Sequence, residues 1–533
     1  MEPFQMESRP MRHDVLALAD LPPEGLTEVA VGDLKILLAR DGDRVLATGA
    51  TCTHKGAPLK NGKRVGNRVI CPWHHAIFDL DTGDHIEPPG KGCLARFRAS
   101  VEDGRVVVEV PDGAGAHRPE VEPADRKTGG DRVFAIVGGG AAGLACAEEL
   151  VKRGFDGRIV MFVPEREPPY DRTDLSKMYL QGKKSDEALA LYPRERLQAL
   201  GIELIETAVE RIDAGSRRLH LKGGETLRFD ECFAAPGSDA APFDLPGAEA
   251  ENVVSLRSHD DARDLKARLG AARRIVIVGS GFIGMEAAAS LLAPDRSVTV
   301  ISRSALPFAK QFGEAVARQL LATHRAKGVD VRTGADVGGL TVEGNRVTAV
   351  RLKDGSSIEA DLVIAALGAA PRTDLVSGAD RAGKGIKVDA TLRAAEGLHA
   401  GGDIASFPLA AIGEHARIEH WRVAEQHGRH AAGAMLGDAT PFSGIPYFWS
   451  AQHGRLSYLG HAESFDEVHI EGSLEENSYT AFYVKDGRVL AALGLGKADR
   501  TPALHALMLH EPAPERAALE AAGWDPAALL PKR

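Results

Sequence analysis

Cysteine is scarce in this chain: five residues in 533, with no Cys-x-x-Cys among them. That excludes the paired-thiol redox centre of thioredoxin-like or lipoamide-type enzymes. No run of 18 consecutive apolar residues occurs, so no membrane-spanning helix is expected. The opening MEPFQMESRPMRHDV lacks the apolar stretch of a secretory signal, and the expectation is a cytoplasmic protein. There is no basic block and no interleaving of basic and aromatic residues, and the net charge is −10, which argues against nucleic acid and anionic membrane as partners. No Walker loop, Ser–His–Asp set or pair of acid/base carboxylates stands out either.

What is present begins with two short loops, CTHKGAPL (Cys52 to Leu59) and CPWHHAIF (Cys71 to Phe78). Cys52 with His54 and Cys71 with His74 give each loop one sulfur and one nitrogen ligand, and Gly56 and Pro72 suit tight loops. Two thiolates on one iron and two imidazoles on the other is the ligand set of a Rieske [2Fe–2S] centre. The alternative is structural Zn²⁺, which also accepts two Cys and two His, although zinc motifs more often pair Cys-x-x-Cys with spaced His. The spacing selects His74, with His75 beside it as the other choice. The loops resemble those of Rieske proteins, which usually carry Gly where His75 stands. High-potential members have an extra Cys in each box, where this chain has Ala57 and Trp73, so the resemblance points to the ferredoxin-like branch. Imidazole ligation implies a potential of roughly −150 to +300 mV.

Glycine is abundant, 58 residues against the ~7 % of average proteins. Two stretches of one design use it: RVFAIVGGGAAGLACAEEL and RRIVIVGSGFIGMEAAASL each run from an apolar strand through G-x-G-x-x-G into a helix. Gly138, Gly140 and Gly143 form the first loop, Gly279, Gly281 and Gly284 the second, and each predicts a pyrophosphate at a helix N-terminus. Glu165, 22 residues past Gly143, is placed to accept hydrogen bonds from an adenosine ribose. At the matching place in the second repeat stand Ser302 and Arg303. An Arg there can hold a 2′-phosphate, which leans toward NADPH over NADH; the alternative is a solvated surface Arg.

From residue 132 onward the segments PYDRTDLSK, LGAAPRTDL, GIKVDATLR, AGGDIASFP, RIEHWRVAEQHGRHAA and PYFWS follow in order. Together they resemble the FAD-dependent ferredoxin and rubredoxin reductases and apoptosis-inducing factor, and the whole chain resembles their Rieske-bearing branch. The resemblance implies a multidomain fold. An all-β Rieske domain (13–111) and a linker (112–131) come first. An α/β flavoprotein of glutathione-reductase type follows, with FAD-binding (132–251 and 376–443) and NAD(P)H-binding (252–375) domains, and an α+β C-terminal domain (444–533) closes the chain. It further implies that Arg172 and Lys177 reach the flavin, Lys177 pairing with Glu286. Gly402 and Asp403 would meet the ribityl chain, and Glu419, Trp421 and Trp449 would border the flavin and nicotinamide. One departure is Pro236, in Ala235-Pro236-Gly237, where the family has Thr. Cys93, Cys146 and Cys232 are expected to be buried small hydrophobes.

The cofactor set of FAD, a [2Fe–2S] cluster and NADPH or NADH carries the functional expectation. NAD(P)H gives two electrons at once and the cluster accepts one, so a flavin is needed between them. The expected activity is an NAD(P)H oxidoreductase passing electrons through flavin and cluster to a one-electron acceptor, an oxygenase or other redox protein; a homodimer is possible on the resemblance. Two rivals are a flavin that reduces quinone, oxygen or a small molecule directly, and a redox-responsive binding module of the apoptosis-inducing-factor type.

Overall fold

The computed structural model describes residues 10–531, so the opening read for a signal lies largely outside the described residues. The described residues divide into two compact units, residues 10–125 with 500–531, and residues 126–499.

Strand periodicity organises the first unit. In Leu34–Asp41, Ile36 and Leu38 enter a core with Val45, Ala47, Phe97, Val106 and Val108, while Leu37 and Ala39 enter a second core with Leu46, as alternation along a pleated strand requires. The strand belongs to a six-stranded antiparallel sheet ordered Met11–Ala17, Arg105–Val110, Arg96–Glu102, Arg44–Gly49, Leu34–Asp41, Leu26–Val31. A smaller antiparallel sheet follows the order Lys63–Val65, Arg68–Ile70, Ile77–Asp79, His85–Glu87. The second core, which takes in Cys52, Ala57, Leu59, Val69, Cys71, Ala76 and Phe78, is the floor on which both Cys/His loops rest. Within the stretch read as a linker, His117–Arg118 pairs with Cys93–Leu94.

The second unit carries the duplication. One sheet is ordered Ile202–Ile205, Arg158–Phe162, Val133–Val137, Glu231–Ala234, Leu398–Ala400, Arg393–Ala395, parallel except for the last strand. The other is wholly parallel: Val253–Ser255, Leu362–Ala365, Arg274–Val278, Ser297–Ser302, Asp330–Thr333. Their near-continuous Val/Ile runs suit strands buried on both faces. Each sheet feeds a helix from its glycine turn, α1 (Ala141–Lys152) and α2 (Phe282–Leu291). A five-stranded antiparallel sheet, Tyr447–Ala451 through Arg488–Leu495, completes the unit. The strands of the stretch from 444 lie here, and residues 500–531 pack with the first unit. Cys93, Cys146 and Cys232 are buried.

A third helix, α3 (Trp421–Met435), lies on α1 so closely that a Cβ on Gly428 would come within 2.1 Å of the Ala142 carbonyl oxygen. The next residue inward, His427, is fully buried and its Nδ1 accepts the Gly402 N–H at 3.2 Å. Only a neutral imidazole can do so, and burial pushes His427 down to about 3, with His430 adding to the shift. Buried His324, beside Gln452 and His453, is likewise pushed down to about 4 by burial. An unfolded imidazole near 6.5 takes up its proton before either folded one does, so the unfolded state gains protons first as pH falls. Stability of this unit is therefore expected to decline from about pH 6.5 toward 4, by up to ~1.4 kcal/mol per histidine per pH unit. Urea unfolding across that range checks it, and His427→Phe should flatten the acid limb by one histidine's share.

Candidate functional site

The two Cys/His loops close in the same way. Cys52 N–H donates to the Ala57 carbonyl at 2.9 Å and Gly56 N–H to Cys52 at 3.0 Å; Cys71 N–H donates to Ala76 at 2.8 Å and His75 N–H to Cys71 at 3.3 Å. Gly56 and His75 are equivalent, each four residues past its cysteine and each left-handed, with φ of +72° and +57°. The common Gly at this place is thereby explained, and so is the intact loop despite the Cβ of His75. His74 faces the first loop, its Nδ1 3.0 Å from His54 Nδ1 with the rings edge to face, whereas His75 is fully buried and turns to His505, 3.1 Å away between Nδ1 atoms.

The donor set fits the iron–sulfur group. Cys52 and Cys71 are buried, and the neighbouring Cys71 thiol, followed by burial, holds Cys52 well above its ordinary value. Thiolates in such a place require a metal cation to stabilise them. Two nitrogens at ~2.1 Å from one metal lie about 3.0–3.4 Å apart, which the His54–His74 separation matches. Among the described residues no three His, Cys, Asp or Glu converge on a point. The four side chains stand as a sulfur pair and a nitrogen pair, the division a two-iron centre uses.

In the second unit the glycine turns show three separate requirements, met twice. Gly138 and Gly279 have φ of +112° and +115°, and a Cβ on either would lie 2.2 Å from a carbonyl of the neighbouring strand, Ala235 or Ala366. A Cβ on Gly143 or Gly284 would lie 1.9 or 2.2 Å from the carbonyl oxygen of Gly138 or Gly279. Gly140 and Gly281, which cap α1 and α2, face open space. The exposed N–H groups and the helix dipole make each cap an anion seat.

Gly140 opens onto two cavities of about 850 and 270 Å³ that share Gly140, Arg172, Ala235, Gly237 and Arg257 as walls. Glu165 and Pro236 line the larger; Lys177, Glu286, Gly402, Asp403, Glu419, Trp421 and Trp449 line the smaller. Glu165 accepts from Tyr170 Oη at 2.6 Å and from the Arg172 guanidinium. Asp403 accepts from Arg257 Nη2 at 2.7 Å and Ser238 Oγ at 2.8 Å. Arg417 donates to the Asp403 carbonyl at 2.9 Å and to the Glu419 carboxylate.

Lys177 sits at a kink in the turn Leu175–Tyr179, with φ −120° and ψ −105°, a local irregularity of the kind frequent at functional sites. Its Nζ lies 2.8 Å from Glu286 Oε2 and donates to the Thr173 carbonyl at 2.7 Å. Glu286, buried on α2, also accepts from Ser176 Oγ (2.6 Å), Ser450 Oγ (2.7 Å) and Ala451 N–H (3.0 Å). A buried pair is retained when hydrogen bonds satisfy its other lone pairs, and here three further donors do so. His420 lines the same cavity against Phe448, and burial, with His461 adding, pushes it down to about 3.

Ser302 and Arg303 line neither cavity. Ser302 Oγ is 2.7 Å from Ser280 Oγ inside the second glycine turn and donates to the Ser304 carbonyl at 3.0 Å, while Arg303 is exposed. Sequence reasoning did not single out Tyr170, Ser176, Ser238, Arg257, His420, Phe448 or Ser450. Tyr170, Ser176, His420, Phe448 and Ser450 fall inside segments that carried the family resemblance; nothing in the sequence distinguishes Ser238 or Arg257 from other residues of their type. No helix among the described residues is long and apolar enough to cross a membrane.

Comparison with known proteins agrees with this geometry. Residues 133–428 match the pyridine nucleotide-disulphide oxidoreductase family, residues 11–98 the Rieske [2Fe-2S] domain and residues 447–530 the reductase C-terminal domain. Human apoptosis-inducing factor 3 is 36 % identical over 90 % of this chain and 81 % of its own length. Putidaredoxin reductase of Pseudomonas putida is 32 % identical over 67 % of this chain and 86 % of its own. Among solved structures, a ferredoxin reductase for the CYP199A2 system of Rhodopseudomonas palustris superposes with a TM-score of 0.71 at 29 % identity, covering 75 % of this chain and all of that one. The chain therefore belongs to the pyridine nucleotide-disulphide oxidoreductase family, as a ferredoxin-reductase-like FAD- and NAD(P)H-dependent oxidoreductase that also carries a Rieske [2Fe–2S] domain.

Proposed function

We propose that this protein draws electrons from NAD(P)H and passes them, by way of its FAD and its Rieske cluster, to an external one-electron acceptor such as an oxygenase component or another redox protein. The observation that carries the reading is that a dinucleotide cleft with a held Lys–Glu pair and a 2 + 2 sulfur/nitrogen ligand set occur in one chain. The FAD supplies conversion of a two-electron donor to one-electron chemistry when bound. The chain's residues do the rest by position. Cys52, Cys71, His54 and His74 would hold the cluster, with two thiolates and two imidazoles as its ligands. The α1 cap at Gly140 seats the pyrophosphate between Gly138 and Gly143, and Glu165, braced by Tyr170 and Arg172, accepts from the adenosine ribose. Asp403, aimed by Arg257 and Ser238 beside Gly402, accepts from the ribityl hydroxyls. Lys177 holds positive charge beside the ring where charge accumulates on reduction, and Glu286 fixes that ammonium in place. Glu419, Trp421 and Trp449 border the ring and the nicotinamide. The α2 cap, with Gly279, Gly281 and Gly284, seats the nicotinamide dinucleotide, and Ser302 and Arg303 lie at its adenosine end.

Acceptor profiling tests the relay. Cys71→Ser is expected to abolish NAD(P)H-driven reduction of cytochrome c while sparing reduction of quinone or oxygen at the flavin. Cytochrome c reduction that persists at the wild-type rate in that variant would transfer the activity to the flavin alone. A second prediction concerns the buried pair: Lys177→Met should slow flavin reduction by NAD(P)H on the order of 10²-fold, in line with loss of one electrostatic stabiliser. Glu286→Gln should slow it less, because Thr173 still anchors the ammonium. Stopped-flow absorbance at the flavin band reads both.

A further inference from the structure

The helix Thr501–Met508, here α4, and the tail beyond it belong to the unit that contains the Rieske loops, although 374 residues of the reductase separate them in sequence. The attachment is made at the second loop. Ala506, fully buried, packs on Ile70 and Ile77, the residues that end one flanking strand and begin the next. Between those strands, His75 Nδ1 is 3.1 Å from His505 Nδ1, the two rings stack at 5.1 Å with 21° between their planes, and His75 Nε2 is 3.3 Å from Thr501 Oγ1. His75, His505 and Thr501 are all essentially without solvent exposure.

One hydrogen between two Nδ1 atoms makes one ring the donor and the other the acceptor, and the Thr501 hydroxyl can serve either role toward His75 Nε2. Both ring nitrogens of His75 are therefore engaged by α4. The backbone explains why this matters. His75 holds a left-handed conformation, φ +57°, in which the first loop uses Gly56. A non-glycine residue there is strained and persists only where its surroundings over-determine it. The two contacts from α4 are such surroundings, and the residue they fix is covalently next to His74.

Resting on the Rieske reading, we infer that His505, assisted by Thr501, is a positioning residue for the cluster: through His75 it sets the backbone of the second loop and hence the direction of the His74 imidazole. The C-terminal helix of the reductase chain is in this sense a working part of the iron–sulfur domain.

The test uses the full-length holoprotein, reduced with dithionite so that the readout does not depend on the flavin. His505→Phe keeps the ring stack and removes the hydrogen bond. It is expected to shift the EPR g values and midpoint potential of the cluster and to speed iron loss to a chelator about 10-fold, the scale seen for partners of metal-ligating histidines. His505→Asn, which can place an amide where Nδ1 stands, should return all three toward wild type. His75→Gly should adopt the left-handed loop unaided, so adding His505→Phe to it should change nothing further. The inference is overturned if His505→Phe leaves the g values, potential and iron loss unchanged, or if its effect is undiminished in the His75→Gly background, which would assign the tail a packing role only. A wild-type protein that contains zinc and gives no [2Fe–2S] spectrum would overturn the Rieske reading itself, and this role with it.

Discussion

Twice in this chain a strand turns into a helix through a space that no Cβ could share. The Gly143 and Gly284 α-carbons sit against the carbonyls of Gly138 and Gly279 so tightly that an added methyl would lie about 2 Å from oxygen, and the first glycine of each turn presses as closely on the next strand. This contact brings each helix N-terminus to the carboxyl edge of its sheet with its N–H groups facing outward, which is where an α/β fold binds dinucleotides. The rest of the reductase unit is arranged around that edge: α3 closes on α1 at Gly428, its His427 holds the Gly402 turn, and that turn presents Asp403 to the cleft.

The charged groups in the cleft are held by other groups of the protein rather than left to find a ligand. Glu286 accepts from four donors and Asp403 from two. Burying an unpaired charge would be expensive, and satisfying it in advance both removes that cost and fixes geometry. The Cys/His loops follow the same logic with softer ligands. Two loops of one hydrogen-bonding pattern, laid on a common apolar floor, present two sulfurs and two nitrogens as separate pairs.

How much of this was legible in the sequence depends on whether the requirement is local. The glycine turns could be read because φ and close approach are demanded within a few residues, and the convergence of the Cys/His loops because their spacing is written in each loop. The braces could not. Ser238, Arg257 and Ser176 are ordinary residues whose partners lie 100 or more positions away or become neighbours only when the sheets stack. The departure at His75 was visible, and aligning the two loops on their cysteines would have matched it with Gly56 and suggested a left-handed backbone. What compensates it, His505, lies 430 residues away. The tail from 444 read as one folded piece because its strands and helices follow without a break in pattern. Its helical part packs with the first unit, where Ala506 lies on Ile70 and Ile77.

On the proposed reading, donor, flavin and cluster form one electron path within a single chain. Anaerobic addition of stoichiometric NADH, and separately NADPH, to the oxidised holoprotein with parallel visible and EPR spectra tests it most directly. Bleaching of the flavin band together with the EPR signal of a reduced [2Fe–2S] cluster is expected. A bleached flavin with a cluster that stays oxidised would contradict it.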